Sequence, residues 1–428
     1  MSSIRNFKKL SFLVYGLGLT GKSVINFFIK NKINNYKVWD DKNKKLHKKK
    51  RAKNLNEALE KADYIILSPG VSLMKSKNKN KLIKYEKKII TDIDLIFLLK
   101  RKFKSIVVTG TNGKSTTCKI ISHILKKNRF KVSLGGNIGT PILNLKIKKN
   151  SFVIIEASSF QLSHSKFIRP DFAVLLNITN DHLDWHGSRA NYKNSKLKVF
   201  SIQKKNQFSL VNQKLKKIFQ INKFRGKLII PKIQNYKKLK LKIKNDYIKS
   251  AINDENMSHV FALSKILKIN EKLLIEALNS FVGLPHRYEV FLKKSNTTFI
   301  NDSKATSFEA SKFALKNTKN IFWIVGGLPK KNDKIILRDL RKNIVKTYII
   351  GKNINFFKSQ IKYKVDFSTT RNLKNTIIKI IEDIKIFKRE FNIILLSPSA
   401  ASFDQFSNFE RRGDEFKRLC KYYARKFI

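Results

Sequence analysis

Ser105-Ile106-Val107-Val108-Thr109-Gly110-Thr111-Asn112-Gly113-Lys114-Ser115-Thr116-Thr117 is the stretch on which the fold turns. A β-branched apolar run enters a glycine-bearing turn. A Lys-Ser-Thr step then opens a segment with Ile120, Ile121, Ile124 and Leu125 at helical spacing. Strand, loop and helix N-terminus in that order make a phosphate cradle. Backbone N–H groups of Gly110 to Gly113 face the anion, Lys114 adds charge, and the Ser115 hydroxyl, beside Thr116, can ligate magnesium. The full Walker pattern asks for glycine where Val108 stands, so only its Gly-x-x-Gly-Lys-Ser half is present. An ordinary strand–turn–helix with a chance lysine would read alike, and the rest of the chain must decide.

Length and charge bound the answer. At 428 residues the chain is long enough for two to four domains, and 42% hydrophobic residues exclude a disordered polymer. A net charge of +61 would suggest nucleic acid or an anionic membrane as partner. The lysines run through every segment alongside Asn, Ile and Phe, a compositional bias on tolerant surface positions, and no arginine-rich or aromatic-interleaved module stands out. Neither nucleic-acid binding nor membrane insertion is expected, since no stretch reaches the 18 or so apolar residues of a span. Cys118 and Cys420 have no metal-ligand spacing and build no disulfide framework, which fits a reducing, cytoplasmic setting.

Ahead of the cradle, Phe12 to Tyr15 reads as a buried strand followed by Gly16-x-Gly18-x-x-Gly21, a dinucleotide-fold fingerprint. A second strand, Tyr36 to Trp39, ends in Asp40-Asp41, and a third, Tyr64 to Leu67, runs into Ser68-Pro69-Gly70-Val71. Ligands bind at the carboxyl ends of such strands, so Leu19, Thr20, Asp40, Ser68 and Gly70 are expected to line a nucleotide-like pocket. Lys42 to Lys53 reads as a solvated helix and loop surface.

Beyond the cradle, Gly135-Gly136-Asn137-Ile138-Gly139 reads as a flexible loop carrying one polar side chain, Asn137. Phe152 to Ile155 is a buried strand that delivers Glu156, a natural magnesium ligand beside a phosphate loop. Phe172 to Leu176 gives another strand, leading to Asn177-Ile178-Thr179-Asn180-Asp181-His182-Leu183-Asp184-Trp185-His186. Two histidines and two aspartates so close together could coordinate a metal.

The series Gly-Thr-Asn-Gly-Lys-Ser-Thr, Gly-Gly-Asn-Ile-Gly, Glu-x-Ser-Ser-Phe-Gln-Leu and Asn-Ile-Thr-x-Asp-His-Leu-Asp resembles the Mur ligase family, ATP-dependent amide-forming enzymes of bacterial cell-wall synthesis. The resemblance spans almost the whole chain. It implies an α/β protein of three domains: a Rossmann-like substrate domain (1–92), a central P-loop ATPase-like domain with a mostly parallel sheet (93–283), and a Rossmann-like C-terminal domain (284–428). It also implies a lysine, a few residues past the histidine loop, that is carbamylated and helps hold magnesium. Lys196 is the best match, with Lys193 and Lys198 as competitors. Ser115, Glu156, His182 and carbamylated Lys196 would then ligate Mg2+. Catalysis would fall to Lys114, Glu156, His182 and Lys196.

The family places an asparagine against adenine, matched by Asn256. Where it has a second asparagine three residues on, this chain has His259, which either takes over a hydrogen bond or forfeits the contact. Arg287, Asp302 and Lys304 are implied to face ATP. Thr306 and Lys330 are implied to hold the incoming amino acid, and Asn137 and His182 the other substrate.

The segment Ser399 to Gly413 narrows the resemblance to the branch that joins D-glutamate to UDP-N-acetylmuramoyl-L-alanine, with Ser402 and Phe409 matching contacts to the glutamate carboxylate. Read from its residues alone, the same segment is a helix start capped by Ser402 with Phe403, Phe406 and Phe409 as core. A monomer is the expected state.

Overall fold

The computed structural model describes residues 4–42, 47–99, 102–179, 181–251, 253–330 and 333–427. They form two compact units, Met1–Phe281 and Val282–Ile428. The first unit holds two sheets and the second holds one.

The N-terminal sheet comprises β1 (Phe12–Tyr15), β2 (Tyr36–Trp39), β3 (Tyr64–Leu67) and β4 (Ile89–Ile90), all parallel, in the order β2-β1-β3-β4. Helix Leu19–Lys30 follows the glycine fingerprint and buries Val24, Phe27 and Phe28 on one face. Its start needs glycines: Gly16 has φ +92°, and a Cβ on Gly21 would collide with the Gly16 carbonyl. Of the lysine-rich segment, 43–46 lie outside the described residues. The rest is mostly exposed, but Arg51 bridges to Val38 and Ala52 is buried, so its end closes the sheet edge instead of lying loose.

The central sheet comprises β5 (Phe103–Thr109), β6 (Val132–Gly136), β7 (Ser151–Glu156), β8 (Phe172–Leu175), β9 (Phe208–Val211) and β10 (Lys227–Ile229). Every pairing is parallel and the order is β10-β9-β8-β5-β7-β6, which puts the cradle strand β5 inside the sheet. Strands covered on both faces read as continuous apolar runs, as β5 and β7 do. One expectation is corrected: Gly135 and Gly136 are the last residues of β6, paired with Ile155 and Glu156, and the loop begins only after them.

The two sheets of this unit are joined through helix Asp92–Leu98. Leu95 packs into the N-terminal core, while Ile93, Ile96 and Phe97 pack into the central one. Asp94 is fully buried and accepts from Thr91 N (2.9 Å), Ser165 Oγ (2.6 Å), Lys166 N (3.1 Å) and Phe167 N (2.8 Å). A buried carboxylate is tolerable only when so fully hydrogen-bonded.

In the second unit, β11 (Glu289–Lys294), β12 (Thr297–Asn301), β13 (Ile321–Gly326), β14 (Ile344–Ile350), β15 (Phe367–Arg371) and β16 (Asn392–Leu396) pair in the order β11-β12-β16-β13-β14-β15. All pairs are parallel except the edge strand β11, which runs antiparallel to β12. The structure is therefore α/β throughout. Among the described residues, no helix is long and apolar enough to cross a membrane.

Candidate active site

The cradle forms where the sequence places it. β5 ends at Thr109, Gly110 has φ +155°, and Gly113 (φ +83°) caps helix Lys114–Lys127. That backbone admits glycine only, and a Cβ on Gly113 would also run into the Asn256 amide, which lies against the loop. Asn177, a residue the sequence reading did not single out, tethers the loop: its Oδ1 accepts from Thr111 N (3.2 Å) and Asn112 N (2.9 Å). Thr111 Oγ1 meets the Tyr192 hydroxyl at 2.9 Å. Ser115 and Thr116 are buried in the first helical turn.

Two lysines converge on one carbonyl. Lys114 Nζ donates to Gly110 O (2.9 Å) and Thr111 O (2.7 Å), and Lys196 Nζ donates to Gly110 O at 2.8 Å. Lys196 is 1% exposed and rests over the Tyr192 ring. Burial, with the Lys114 charge adding to it, holds its amine well below the ordinary lysine range. Of its competitors, Lys193 is only half-buried, and Lys198 is turned to the Ser163 carbonyl.

Glu156 stands at the tip of β7, 2% exposed. Its Oε1 accepts from Asn137 Nδ2 at 2.8 Å, while its Oε2 is buried without a hydrogen-bond partner. An orphaned carboxylate oxygen costs desolvation free energy unless a cation or donor arrives, so Glu156 suits a hard metal ion.

The histidine–aspartate cluster does not assemble as four ligands. His182 sits at a left-handed position (φ +52°), its ring against Phe160 with centroids 4.7 Å apart and its Nε2 3.4 Å from Asp181 Oδ2. His186 is buried, meets Ser159 Oγ at 3.0 Å, and burial pushes it down to about 4. Asp184 pairs with Lys75 (2.8 Å) at the surface. Helix Leu183–His186 separates these side chains, and no group of three or more His, Cys, Asp or Glu able to hold a metal occurs among the described residues. His259 is buried with Nδ1 2.9 Å from its own helix's Glu255 carbonyl.

At the carboxyl end of the N-terminal sheet, Asp40 accepts from Leu17 N (2.6 Å) and Lys42 N (2.9 Å), and Ser68 Oγ donates to Gly16 O (2.7 Å). These two shape the turn, while Leu19 (81% exposed), half-buried Thr20 and exposed Gly70 form its open face. The neighbouring Asp41, which the sequence reading passed over, accepts from Tyr15 Oη, Trp39 Nε1 and Asn78 Nδ2.

In the second unit, Asp302 follows β12 and accepts from Ser397 Oγ (2.8 Å) and Tyr288 N (3.1 Å). Burial pushes its carboxyl up to about 7, with the half-buried Arg287 pulling the other way. Lys304 Nζ lies 3.7 Å from the centroid of the half-buried Phe409 ring. Thr306 is half-buried, Lys330 exposed, and Ser402 buried.

The helix expected at Ser402 begins instead at Phe409, with Asn408 Oδ1 accepting from Arg411 N (2.8 Å). Residues 402–406 make a tight turn (Phe406 N to Ser402 O, 2.8 Å), and Phe403 is exposed, not core. Sequence reading also missed Arg412. It is fully buried and ties together the loops after β12 and β16, donating to Ser303 Oγ (3.0 Å), Ser303 O (2.9 Å) and Ala400 O (2.9 Å).

Comparison with known proteins accords with this geometry. The Mur ligase middle domain matches residues 108–275, and the MurD-like N-terminal domain of Mur ligases matches 10–90. The chain is 36% identical to a UDP-N-acetylmuramoylalanine–D-glutamate ligase of Wolbachia sp. subsp. Brugia malayi, covering 97% of each chain. It is 35% identical to the enzyme of that name from Rickettsia felis, covering 95% of this chain and 96% of that one. Among solved structures, the MurF ligase of Thermotoga maritima in complex with ADP aligns with a TM-score of 0.59 at 17% identity, over 99% of this chain and all of that one. The UDP-N-acetylmuramate–alanine ligase of the same organism aligns at 0.58 and 16%, over 97% and 100%. At such identity these two speak for the fold.

Proposed function

The chain belongs to the Mur ligase family, and on that premise we propose that it joins D-glutamate to UDP-N-acetylmuramoyl-L-alanine, converting ATP to ADP and phosphate, in peptidoglycan precursor synthesis. The observation that carries the site assignment is the meeting of Lys114 and Lys196 at the Gly110 carbonyl, with Glu156 and its orphaned oxygen ending the strand that pairs with the cradle strand. We assign 1–92 to the UDP-substrate, 93–283 to ATP and 284–428 to the amino acid and ATP.

The substrate carboxylate attacks the γ-phosphorus, giving an acyl phosphate and ADP. The amine of D-glutamate then attacks the acyl carbon, and the tetrahedral intermediate expels phosphate and loses a proton to leave the amide. The N-terminus of helix Lys114–Lys127 and the Lys114 ammonium, which turns from the Gly110 and Thr111 carbonyls when phosphate arrives, meet the phosphoryl charge, while Asn177 fixes the cradle loop through the Thr111 and Asn112 amides. Asn256, whose amide lies against Gly113, would meet the adenine.

Lys196, whose amine burial holds well below the ordinary lysine range, is in its neutral form a competent nucleophile toward carbon dioxide: its nitrogen bonds the carbon, one proton leaves, and a carbamate results. Ser115, Glu156, His182 and that carbamate would hold magnesium, with Asn137 fixing the Glu156 carboxylate. Magnesium, when bound, supplies charge neutralisation for the phosphoryl oxygens. In the second unit Arg287, Asp302 and Lys304 serve the nucleotide, and Thr306, Lys330, Ser402 and Phe409 the amino acid. The test is phosphate release by the purified protein with ATP, magnesium, UDP-N-acetylmuramoyl-L-alanine and a panel of amino acids. Release with D-glutamate and not with L-glutamate is expected; release with neither overturns the proposal.

A further inference from the structure

His186 ends the helix Leu183–His186 and is 5% exposed, and the metal set Ser115, Glu156, His182 and Lys196 does not include it. Its ring meets two other segments as well as its own. Nε2 lies 3.0 Å from Ser159 Oγ, the Phe160 ring runs nearly parallel to it (centroids 5.6 Å apart, 15°), and the Tyr192 ring stands at 67° to it, 5.2 Å away. Ser159 and Phe160 open the helix Ser159–Ser163, just past Glu156 at the tip of β7. Tyr192 belongs to helix Arg189–Leu197, which carries Lys196, and its hydroxyl meets Thr111 Oγ1 of the cradle loop at 2.9 Å. The His186 carbonyl accepts from Asn191 Nδ2 of that same helix (3.0 Å). One side chain thus joins the segment after Glu156, the turn that bears His182 and the helix that bears Lys196.

The His182 turn needs such a hold. Leu183–His186 is a single helical turn, too short to persist by its own hydrogen bonds, and His182 ahead of it is left-handed at φ +52°. A residue other than glycine keeps that conformation where its surroundings impose it. Ser159 is buried, so its hydroxyl depends on a protein partner. We propose that His186 is a positioning residue for the metal site: acting through Ser159, Phe160 and Tyr192, it fixes the His182 turn and the Lys196 helix against the segment that follows Glu156. The inference rests on the ligase reading, which sends Glu156, His182 and carbamylated Lys196 to magnesium. A histidine that only fills an aromatic cluster predicts lost stability with metal affinity unchanged. A positioning residue predicts weaker metal binding from the loss of one hydrogen bond.

The test is manganese binding by the full chain in bicarbonate buffer, read from the electron spin resonance of the free ion, beside phosphate release by the same preparations. Manganese shares magnesium's preference for oxygen ligands and can be counted without turnover. His186→Phe keeps a ring and loses Nε2, and Ser159→Ala removes the other half of that hydrogen bond. Each should weaken manganese binding at least about tenfold and raise the magnesium needed for half-maximal phosphate release by a like factor. KM for ATP should stay within about twofold, because Asn177 holds the cradle loop independently. The two substitutions break one contact, so the double variant should lose no more than the worse single one. Ser209→Ala, which removes a buried hydrogen bond to Gln203 (2.6 Å) on the same sheet, should bind manganese within about twofold of wild type. Should His186→Phe not fold, Ser159→Ala alone carries the comparison. Unchanged manganese affinity in the single variants, additive losses in the double one, an equal loss in Ser209→Ala, or a wild type that binds no manganese would each overturn the positioning role. A wild type that releases no phosphate with D-glutamate overturns the ligase reading instead, and the manganese series still decides for His186.

Discussion

Lys196→Met separates the charge state of this lysine from its place in the fold. Methionine matches the length of the stem and removes the amine. In the folded chain burial holds the amine well below its ordinary range, whereas the unfolded chain protonates it up to about pH 10.4. Between those two values the unfolded state binds the extra proton, so wild-type stability rises with pH and the cost of burying the lysine shrinks. Linkage of a single proton limits the change in that cost between pH 7.5 and pH 9.5 to at most about 3 kcal/mol.

Against it stands the lost bond to Gly110 O, worth about 1 kcal/mol, and that carbonyl is not orphaned because Lys114 also reaches it. The variant should therefore gain stability relative to wild type as pH falls from 9.5 to 7.5, by at most about 3 kcal/mol. That change between the two pH values is independent of the packing terms. Urea denaturation of both proteins at both pH values, in buffers stripped of carbon dioxide, measures it. A stability difference that stays constant from pH 7.5 to 9.5 would refute the reasoning, because it would mean the buried amine keeps its proton. Ligase activity of Lys196→Met should meanwhile fall at least about a hundredfold, since even outer-shell partners of a metal cost 10–100-fold.

Glu156→Gln keeps the acceptor for Asn137 and removes the unpartnered charge, so stability should hold or rise while the magnesium requirement for phosphate release climbs by at least about tenfold. Coincident magnesium titrations would remove Glu156 from the metal site. Arg412→Met leaves the carbonyls of Ser303 and Ala400 unpaired and should cost about 3 kcal/mol, with Arg412→Lys recovering part of it. A loss under about 1 kcal/mol in urea denaturation would mean that water replaces the guanidinium. Asp302 holds its proton to about 7 in the fold but only to about 3.9 unfolded, so its contribution favours folding at low pH and fades as pH rises. Asp302→Asn should remove a decline of up to about 3 kcal/mol between pH 5 and pH 7, and parallel pH profiles for the two proteins would exclude that role.

What could be read from the chain was whatever depends on neighbours in sequence. The β-branched runs of β5 and β7, the glycines at positive φ, and the helix opened by Lys114 are local signals, and each lies where its pattern says. Local reading failed where a distant partner decides. Ser402 looks like a helix cap, yet its backbone closes a turn and Asn408 caps the helix. Asp181, His182, Asp184 and His186 look like a metal cluster, yet a short helix and contacts to Lys75 and Ser159 draw them apart. Arg412 gave no signal because its partners, Ser303 and Ala400, come from loops after two different strands. Asp94 is the same case, since most of its donors sit more than 70 residues away.

The shared Gly110 carbonyl suggests why the two lysines are placed together. With no phosphate at hand, the cradle's own carbonyls hold the Lys114 ammonium, and a second full charge at Lys196 would be opposed both by burial and by Lys114. The arrangement therefore selects the neutral amine, the form that reacts with carbon dioxide. On the proposed reading, carbamylation reverses the sign of the interaction: the neighbour that disfavoured a cation at Lys196 now favours the anion. The same proximity thus prepares the amine and then stabilises its product. Asp181, the acid whose charge acts on Lys196, disfavours a lone carbamate, and the orphaned Glu156 oxygen on the strand paired with the cradle strand also calls for a cation or donor. Carbamate and divalent ion should then bind with mutual cooperativity, so that bicarbonate tightens magnesium binding by the same factor as magnesium raises carbamate occupancy. Unequal factors in the two titrations would show that Lys196 and Glu156 do not share one ion.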